Sequence, residues 1–239
     1  MYKIAQKIIY FKDLNSTNDH LIYLYKKFHI KENFVIVALD QNKGRGRREN
    51  KWFSDQGSLT FSFSIELNNN INSWVLSMAV SLNLIKLLSA YNIKAIIKYP
   101  NDILYKNKKI AGILTEEISI KNHRYCVVGI GLNVNNSKFP KDVPNAISIQ
   151  QIISKSVNKD LLLSSLLLDL EFILNNNNNI KADYIAHLYG FKQFIPSLYR
   201  EAFLRIQILD IDNNGFVKIL TQESIIKTVR YEDIRFLIN

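Results

Sequence analysis

A chain of 239 residues with 47% apolar content is long enough to bury a full core, as one large domain or as one large and one small. Its net charge of +10 and pI near 9.5 fit an acidic partner, whether a nucleotide, a nucleic acid or an acidic protein surface. With Cys126 the one cysteine, an internal disulfide and a cysteine-built zinc site are excluded; no apolar run approaches the ~18 residues of a membrane span and the N-terminus has no signal-peptide core, so a cytoplasmic protein with a reduced thiol is expected.

Residues 4–11 are apolar and strand-like. Ser16, Thr17, Asn18 and Asp19 then offer N-cap side chains ahead of Leu21, Leu24, Tyr25 and Phe28 at helical spacing. Capping uses one of the two hydroxyls and leaves the other, with the Asn18 amide, for a polar ligand. Residues 34–39 form a short apolar strand. Residues 59–66 alternate, with Leu59, Phe61, Phe63 and Ile65 on one face and Thr60, Ser62, Ser64 and Glu66 on the other. After a polar turn at 68–72, Ser73 is the expected cap of a helix running to Ala90, with Trp74, Ser77, Met78, Ser81, Ile85 and Leu88 in one stripe.

Residues 94–99 read as a strand stopped by Pro100, Asn101 and Asp102. Residues 103–105 and 110–118 form a hairpin across the basic turn 106–109. Residues 125–134 are β-rich, and the glycines at 129 and 131 mark close approach of a ligand or another backbone. There follow a loop at 136–144, a short apolar turn or helix at 146–153, a helix at 161–174 capped by Asp160, an Asn-rich loop at 175–179 and a helix at 180–189. Strands at 203–209, 216–220 and 225–231 then alternate with turns at 210–215 and 221–224. The expected fold is α+β, a mixed β-sheet with helices packed on it over residues 1–190, followed by a small β-barrel domain over residues 191–239.

Between the second and third strands lies the run Gln41-Asn42-Lys43-Gly44-Arg45-Gly46-Arg47-Arg48-Glu49-Asn50-Lys51-Trp52-Phe53-Ser54. Glycine lets a backbone turn its N–H groups onto a ligand, and arginine offers a planar fork of donors to carboxylate or phosphate. The run reads as an anion-holding loop. A solvated basic loop or a Gly/Arg tail on nucleic acid is the plainer reading of such a composition. Placement between two strands, with Trp52 and Phe53 to anchor the far end, argues against the tail.

Four islands stand out with this loop: Ser16-Thr17-Asn18; residues 41–54; Lys98-Tyr99-Pro100-Asn101-Asp102 with Lys109-Ile110-Ala111-Gly112-Ile113-Leu114; and Gly129-Ile130-Gly131-Leu132-Asn133-Val134. Together and in this order they closely resemble biotin protein ligases, over nearly the whole chain, and imply a class II synthetase-like fold. The resemblance implies an enzyme in which biotin's carboxylate attacks the α-phosphorus of ATP to give biotinyl-5′-AMP, after which a lysine of a biotin carboxyl carrier domain takes the acyl group and releases AMP. Both steps ask for pre-placed cations and N–H donors rather than a protein nucleophile.

Carried over by position, the resemblance makes Lys109 the central lysine between the biotin carboxylate and the α-phosphate, and Arg47 the holder of that phosphate. Ser16, Thr17, Asn18 and Gln41 serve biotin's ureido head, which wants both donors and acceptors. Gly44, Arg45, Gly46 and Arg47 fold over biotin, and Gly112 and Gly129 line its pocket. Arg47, Arg48, Lys51, Trp52, Asn101, Asp102 and Asn133 fall on the nucleotide side. Magnesium is expected to arrive with ATP and neutralise the leaving pyrophosphate; no residue is assigned to a metal of its own. Two departures stand out: Tyr99 where the family often has tryptophan, and Glu49 where glycine is common. About fifteen residues precede Ser16, too few for the DNA-binding module that some relatives carry, so a short form is expected, without a membrane anchor and compatible with a homodimer. Two alternatives remain: a lipoate or octanoate ligase of related architecture, separable by competition between biotin and lipoate, and a basic nucleic-acid-binding protein, whose affinity would fall steeply with salt.

Overall fold

Alternation of apolar residues at period two builds a seven-stranded sheet in the computed structural model, which describes residues 2–30, 33–68, 71–176, 179–212 and 214–237, with Glu49 described by its backbone alone. Parts of the turns expected at 68–72, 175–179 and 210–215, and the Glu49 side chain, lie outside the described residues. The strands are β1 (Lys7–Leu14), β2 (Phe34–Gln41), β3 (Ser58–Glu66), β4 (Ile96–Lys98), β5 (Asp102–Tyr105), β6 (Lys108–Ile120) and β7 (His123–Asn133), in the order β1-β2-β3-β7-β6-β5-β4. The β1–β2 pair is parallel and the rest are antiparallel, giving the expected mixed sheet.

Helix α1 (Thr17–Phe28) connects the parallel pair and covers one face of the sheet, where Leu21 and Tyr25 pack with Ile36, Tyr125 and Val127. Helices α2 (Ser73–Ala90), α3 (Ile149–Ile153), α4 (Lys159–Asn176) and α5 (Ile180–Ala186) complete the helical set, and the larger core lies against the other face. Both faces of β3 are covered. Its Ser and Thr side is not solvated: Ser58, Thr60, Ser62 and Ser64 are all buried, and Glu66 alone is exposed. Each buried hydroxyl finds a partner, as burial requires; Thr60 donates to the Ala38 carbonyl at 2.8 Å and Ser64 meets the Tyr25 hydroxyl at 2.7 Å.

Helix α2 is apolar nearly all round, not along one stripe, because it is walled in by the sheet, α4 and α5. Its 18 residues have a mean hydropathy of 1.4, so by length and composition one segment does reach a membrane span, contrary to expectation; here 67% of it is buried in the protein core. Two caps shift by one or two residues. Asn72, not Ser73, caps α2 by accepting from the Val75 N–H at 2.8 Å, while Ser73 donates to Glu117. Asn158, not Asp160, accepts from the first amides of α4, and Asp160 instead accepts from the Tyr10 hydroxyl.

The C-terminal strands are β8 (Ile195–Tyr199), β9 (Ala202–Ile211), β10 (Val217–Thr221), β11 (Ile226–Val229) and β12 (Ile234–Phe236), antiparallel in the order β11-β10-β9-β8-β12. The expected small barrel is thus a barrel-like sheet whose end strands do not pair with each other among the described residues. Two of its strands are additions to the reading above. Pro196 masks β8, and three residues are too few for β12 to show a period. Ile206, Ile208, Val217, Ile219, Ile234 and Phe236 share one buried cluster with the helices of the main sheet, so the core is continuous across residue 190.

Candidate active site

The C-terminal ends of β2 and β7, the N-terminal end of β6 and the start of α1 converge beneath the basic loop, around a cavity of about 120 Å³. Ser16, Thr17, Asn18, Gln41, Arg45, Gly46, Arg47, Lys51, Trp52, Asn101, Asp102, Lys109, Gly112 and Gly129 all line it. Residues far apart in sequence are therefore brought together. Gly44 and Arg48 line an outer groove of about 1190 Å³ along the loop, and Asn133 lies in a second cavity of about 250 Å³ on the far side of Trp52.

Polar groups at the floor of the first cavity are already wired to one another. Ser16 is the N-cap of α1, accepting from the Asp19 N–H at 3.3 Å. The Thr17 N–H and hydroxyl both donate to Gln41 Oε1, at 2.8 and 3.2 Å, which leaves the Gln41 amide nitrogen as the donor for a ligand. Asn18, expected to keep a free amide, does not: Ser62 lies 2.6 Å from its Oδ1, and its Nδ2 donates to Glu116 at 2.8 Å. Gly129 makes room for it. A Cβ there would sit 2.9 Å from Asn18 Cγ, so the close approach predicted at this glycine includes the Asn18 side chain.

The loop is a folded hairpin. Arg45 and Lys51 form a β-bridge, the Trp52 N–H donates to Gly44 O at 2.9 Å, and the Gly46 N–H donates to Asn50 O at 2.6 Å. Arg45, expected in the loop that folds over biotin, lines the first cavity and is held by carboxylates. Its guanidinium grips Asp19 at 2.5 and 3.1 Å and Glu116 at 3.0 Å, tying the loop to α1 and β6. The Asp19 carboxylate, followed by Glu116, holds the Arg45 pKa above its ordinary value. Arg47 and Arg48 instead lie over the ring of Tyr231, from the C-terminal sheet, at 4.4 and 4.7 Å from its centroid.

Lys109 stands on the wall shared by the two cavities. Its backbone is fixed from both sides: its N–H donates to Asn145 O at 2.6 Å, and its carbonyl accepts from the Ile147 N–H at 3.0 Å. Asn133 reinforces this by donating to the carbonyls of Lys109 and Ile147, at 3.2 and 3.1 Å. The Lys109 ammonium pairs with Asp102 at 2.6 Å and lies 5.3 Å from the Trp52 ring centroid. Neighbouring Lys106 and Lys108 are exposed, so strand parity and this backbone clamp single out Lys109 from a basic turn. Asn101 donates to Ile113 O at 2.7 Å and receives the Ile113 N–H in return through its own carbonyl at 3.0 Å, pinning the turn that presents Asp102. Burial pushes the pKa of Lys98 down, against the pull of Asp102.

Trp52 lies flat on Gly131, where a Cβ would come within 2.5 Å of Cζ2 and 2.6 Å of Nε1. Its indole N–H is buried without a hydrogen-bond partner. Beyond it, Phe53 meets Phe139 edge-on at 6.2 Å, and residues 142–146 close the second cavity. Four participants escaped the sequence: Asp19 and Glu116, which hold Arg45, Ser62 under Asn18, and Tyr231. Parity along β6 groups Glu116 with Gly112 and Leu114, a signal that was available; nothing local marks Tyr231.

Known proteins place this arrangement. The chain is 27% identical over 238 residues to the bifunctional ligase/repressor BirA of Bacillus spizizenii, covering 94% of this chain and 72% of that protein. It is 29% identical over 164 residues to the biotin–[acetyl-CoA-carboxylase] ligase of Mycobacterium tuberculosis, covering 64% of this chain and 59% of that one. Among solved structures, the biotin protein ligase from Aquifex aeolicus in complex with biotin and ATP superposes with a TM-score of 0.80 at 25% identity, over 98% of this chain and all of that one. Residues 10–133, which carry the four islands up to Asn133, match the biotin/lipoate A/B protein ligase family, and the chain belongs to that family.

Proposed function

We propose that this protein is an ATP-dependent biotin–protein ligase, which joins biotin to AMP and passes the biotinyl group to a lysine of a biotin carboxyl carrier domain. The observation that carries the reading is the position of the Lys109 ammonium on the wall between a polar-floored cavity and a second, aromatic-sided one. In this reading the first cavity takes biotin. Thr17 and the Gln41 amide nitrogen meet the ureido head, with Ser16 and Asn18 holding them in place. The second takes the nucleotide, with Trp52 and Phe53 as walls, Asn133 behind, and Lys51 and Arg48 at the approach.

Joining a carboxylate to a polyphosphate brings like charges together, so the protein's task is to supply cations where they meet. Lys109 exchanges its Asp102 contact for the biotin carboxylate and the α-phosphate, and Arg47 takes another phosphate oxygen. The attacking carboxylate oxygen forms the new O–P bond, and pyrophosphate leaves with the electron pair of the broken one. Among the described residues no three carboxylate, histidine or cysteine side chains gather into a metal site. A magnesium ion would therefore ride on the triphosphate, as this cation usually does with one or two protein carboxylates, and Asp102 is the carboxylate at hand.

The test is pyrophosphate release from ATP, magnesium and biotin, with lipoate as competitor. Release that depends on biotin, that lipoate does not compete away, and that Lys109→Ala abolishes is the expected result. Full turnover by Lys109→Ala would overturn the assignment.

A further inference from the structure

Two guanidinium groups of like charge share one ring in this protein, and that ring comes from the far end of the chain. Arg47 and Arg48 lie 4.4 and 4.7 Å from the centroid of Tyr231, which opens the 3-10 turn Tyr231–Asp233 between β11 and β12. Adjacent arginines repel, and the electron-rich face of an aromatic ring is a group that can hold both. Arg48 reaches it through a left-handed backbone, φ 54 and ψ 44, which a residue with a Cβ adopts only where its surroundings compensate. Tyr231 is itself braced: its ring stands edge-on to Tyr99 at 5.7 Å, and the Tyr99 hydroxyl donates to the Gly215 carbonyl of the C-terminal sheet. Tyr231 and Arg47 also share the wall of the first cavity.

From this geometry we infer that Tyr231 is a positioning residue, through which the C-terminal sheet holds Arg47 over the site before any ligand arrives. This rests on the adenylate-forming reading above and gives residues 191–239 a part in it: they set how firmly the loop keeps the activated acyl group. The opposite end of the loop is tied independently by Arg45 to Asp19 and Glu116, so losing Tyr231 frees the Arg47 end and leaves the biotin floor intact.

The test uses the full chain with Tyr231→Phe, which keeps the ring, and Tyr231→Leu, which keeps bulk and loses the π face. In ligand-free protein, trypsin should cut after Arg47 and Arg48 about five- to tenfold faster in Tyr231→Leu than in the parent, on the scale of a lost cation–π contact, while Tyr231→Phe behaves as the parent. After loading with biotin and ATP, escape of biotinyl-adenylate into solution should accelerate by a similar factor in Tyr231→Leu alone. Equal cleavage and equal escape in the parent and Tyr231→Leu would overturn the inference, as would a Tyr231→Phe variant as leaky as Tyr231→Leu. A parent protein that forms no adenylate at all would sink the functional reading instead, and the ligand-free cleavage rates would still decide the role of Tyr231.

Discussion

Replacing Gly131 by alanine tests the floor of the site with a single methyl group. The backbone there is ordinary strand, so alanine adopts it without strain and gains slightly over glycine, by ~0.4–1 kcal/mol through the unfolded chain. The added Cβ, however, would lie 2.5 Å from Trp52 Cζ2 and 2.6 Å from Nε1, where carbon contacts relax at about 3.5–4.0 Å. The indole must therefore move by about 1 Å. It is a rigid ring whose backbone is held by the loop hairpin, so it cannot fold away as a lysine tip would. Overpacking of this kind costs ~1–3 kcal/mol, and after the gain from glycine the net loss of stability is ~0–2.5 kcal/mol. The larger effect falls on function, because Trp52 separates the two cavities and faces the Lys109 ammonium. In a Trp74→Phe background, where Trp52 is the sole tryptophan fluorophore, Gly131→Ala should shift the emission and lower biotin-dependent pyrophosphate release at least tenfold, with urea unfolding still cooperative. Unchanged emission together with unchanged pyrophosphate release would refute the placement of Trp52 on that glycine.

Arg47→Gly should let activated biotin escape and label lysines on unrelated proteins, read by blotting for biotin; labelling confined to the carrier would count against a phosphate grip. Gly129→Ala displaces Asn18 from Ser62 and Glu116 and should weaken biotin binding by calorimetry, whereas equal affinity would remove Asn18 from the ureido floor. Glu116→Gln keeps the Asn18 contact but loses charge opposite Arg45; the pair is partly exposed, so the stability change should be no more than ~1 kcal/mol and should shrink in high salt. Burial pushes the Cys126 thiol up to about 12, above its unfolded value, so the stability tied to keeping it protonated is full below about pH 8.5 and fades as pH rises through the folded value. A thiol reagent at pH 8 should accordingly react only as fast as the protein unfolds; rapid labelling of the native protein would show that Cys126 is accessible.

The sheet was legible because its strands carry their own period. Residues 34–39 and 59–66 are short apolar or alternating runs bounded by turn residues, and β2 and β3 fall on them with small extensions. What a strand's period does not reveal is what covers its polar face. The serines of β3 alternate as a solvated strand would, yet α1 covers them and turns Ser62 into the anchor of Asn18. A helix cap likewise depends on which side chain the chain direction places over the first amides, and in both α2 and α4 an asparagine just upstream takes that place. In the site, the glycines at 129 and 131 did announce close approach, but the groups that approach are Asn18 and Trp52, from elements more than seventy residues away. Tyr231 could not be found, since one tyrosine in a β-rich tail carries no sign of the arginines it meets.

Four cations of the site, Arg45, Arg47, Arg48 and Lys109, are each met by a partner within the protein. Arg45 is matched by two carboxylates and Lys109 by one, and the two remaining arginines are held by an aromatic ring. These pairings differ in how readily they yield. Arg45 makes charge-assisted bonds on two sides with Asp19 and Glu116, the stronger class of contact. Lys109 has one carboxylate and Arg47 only a ring face, so in the proposed reaction an arriving carboxylate and phosphate would offer these two groups more than they leave behind. Of these four cations, the proposed reading makes Arg45 the one that fastens the loop and Lys109 and Arg47 the two that exchange partners, a division that follows from where the acidic residues lie on α1, β5 and β6.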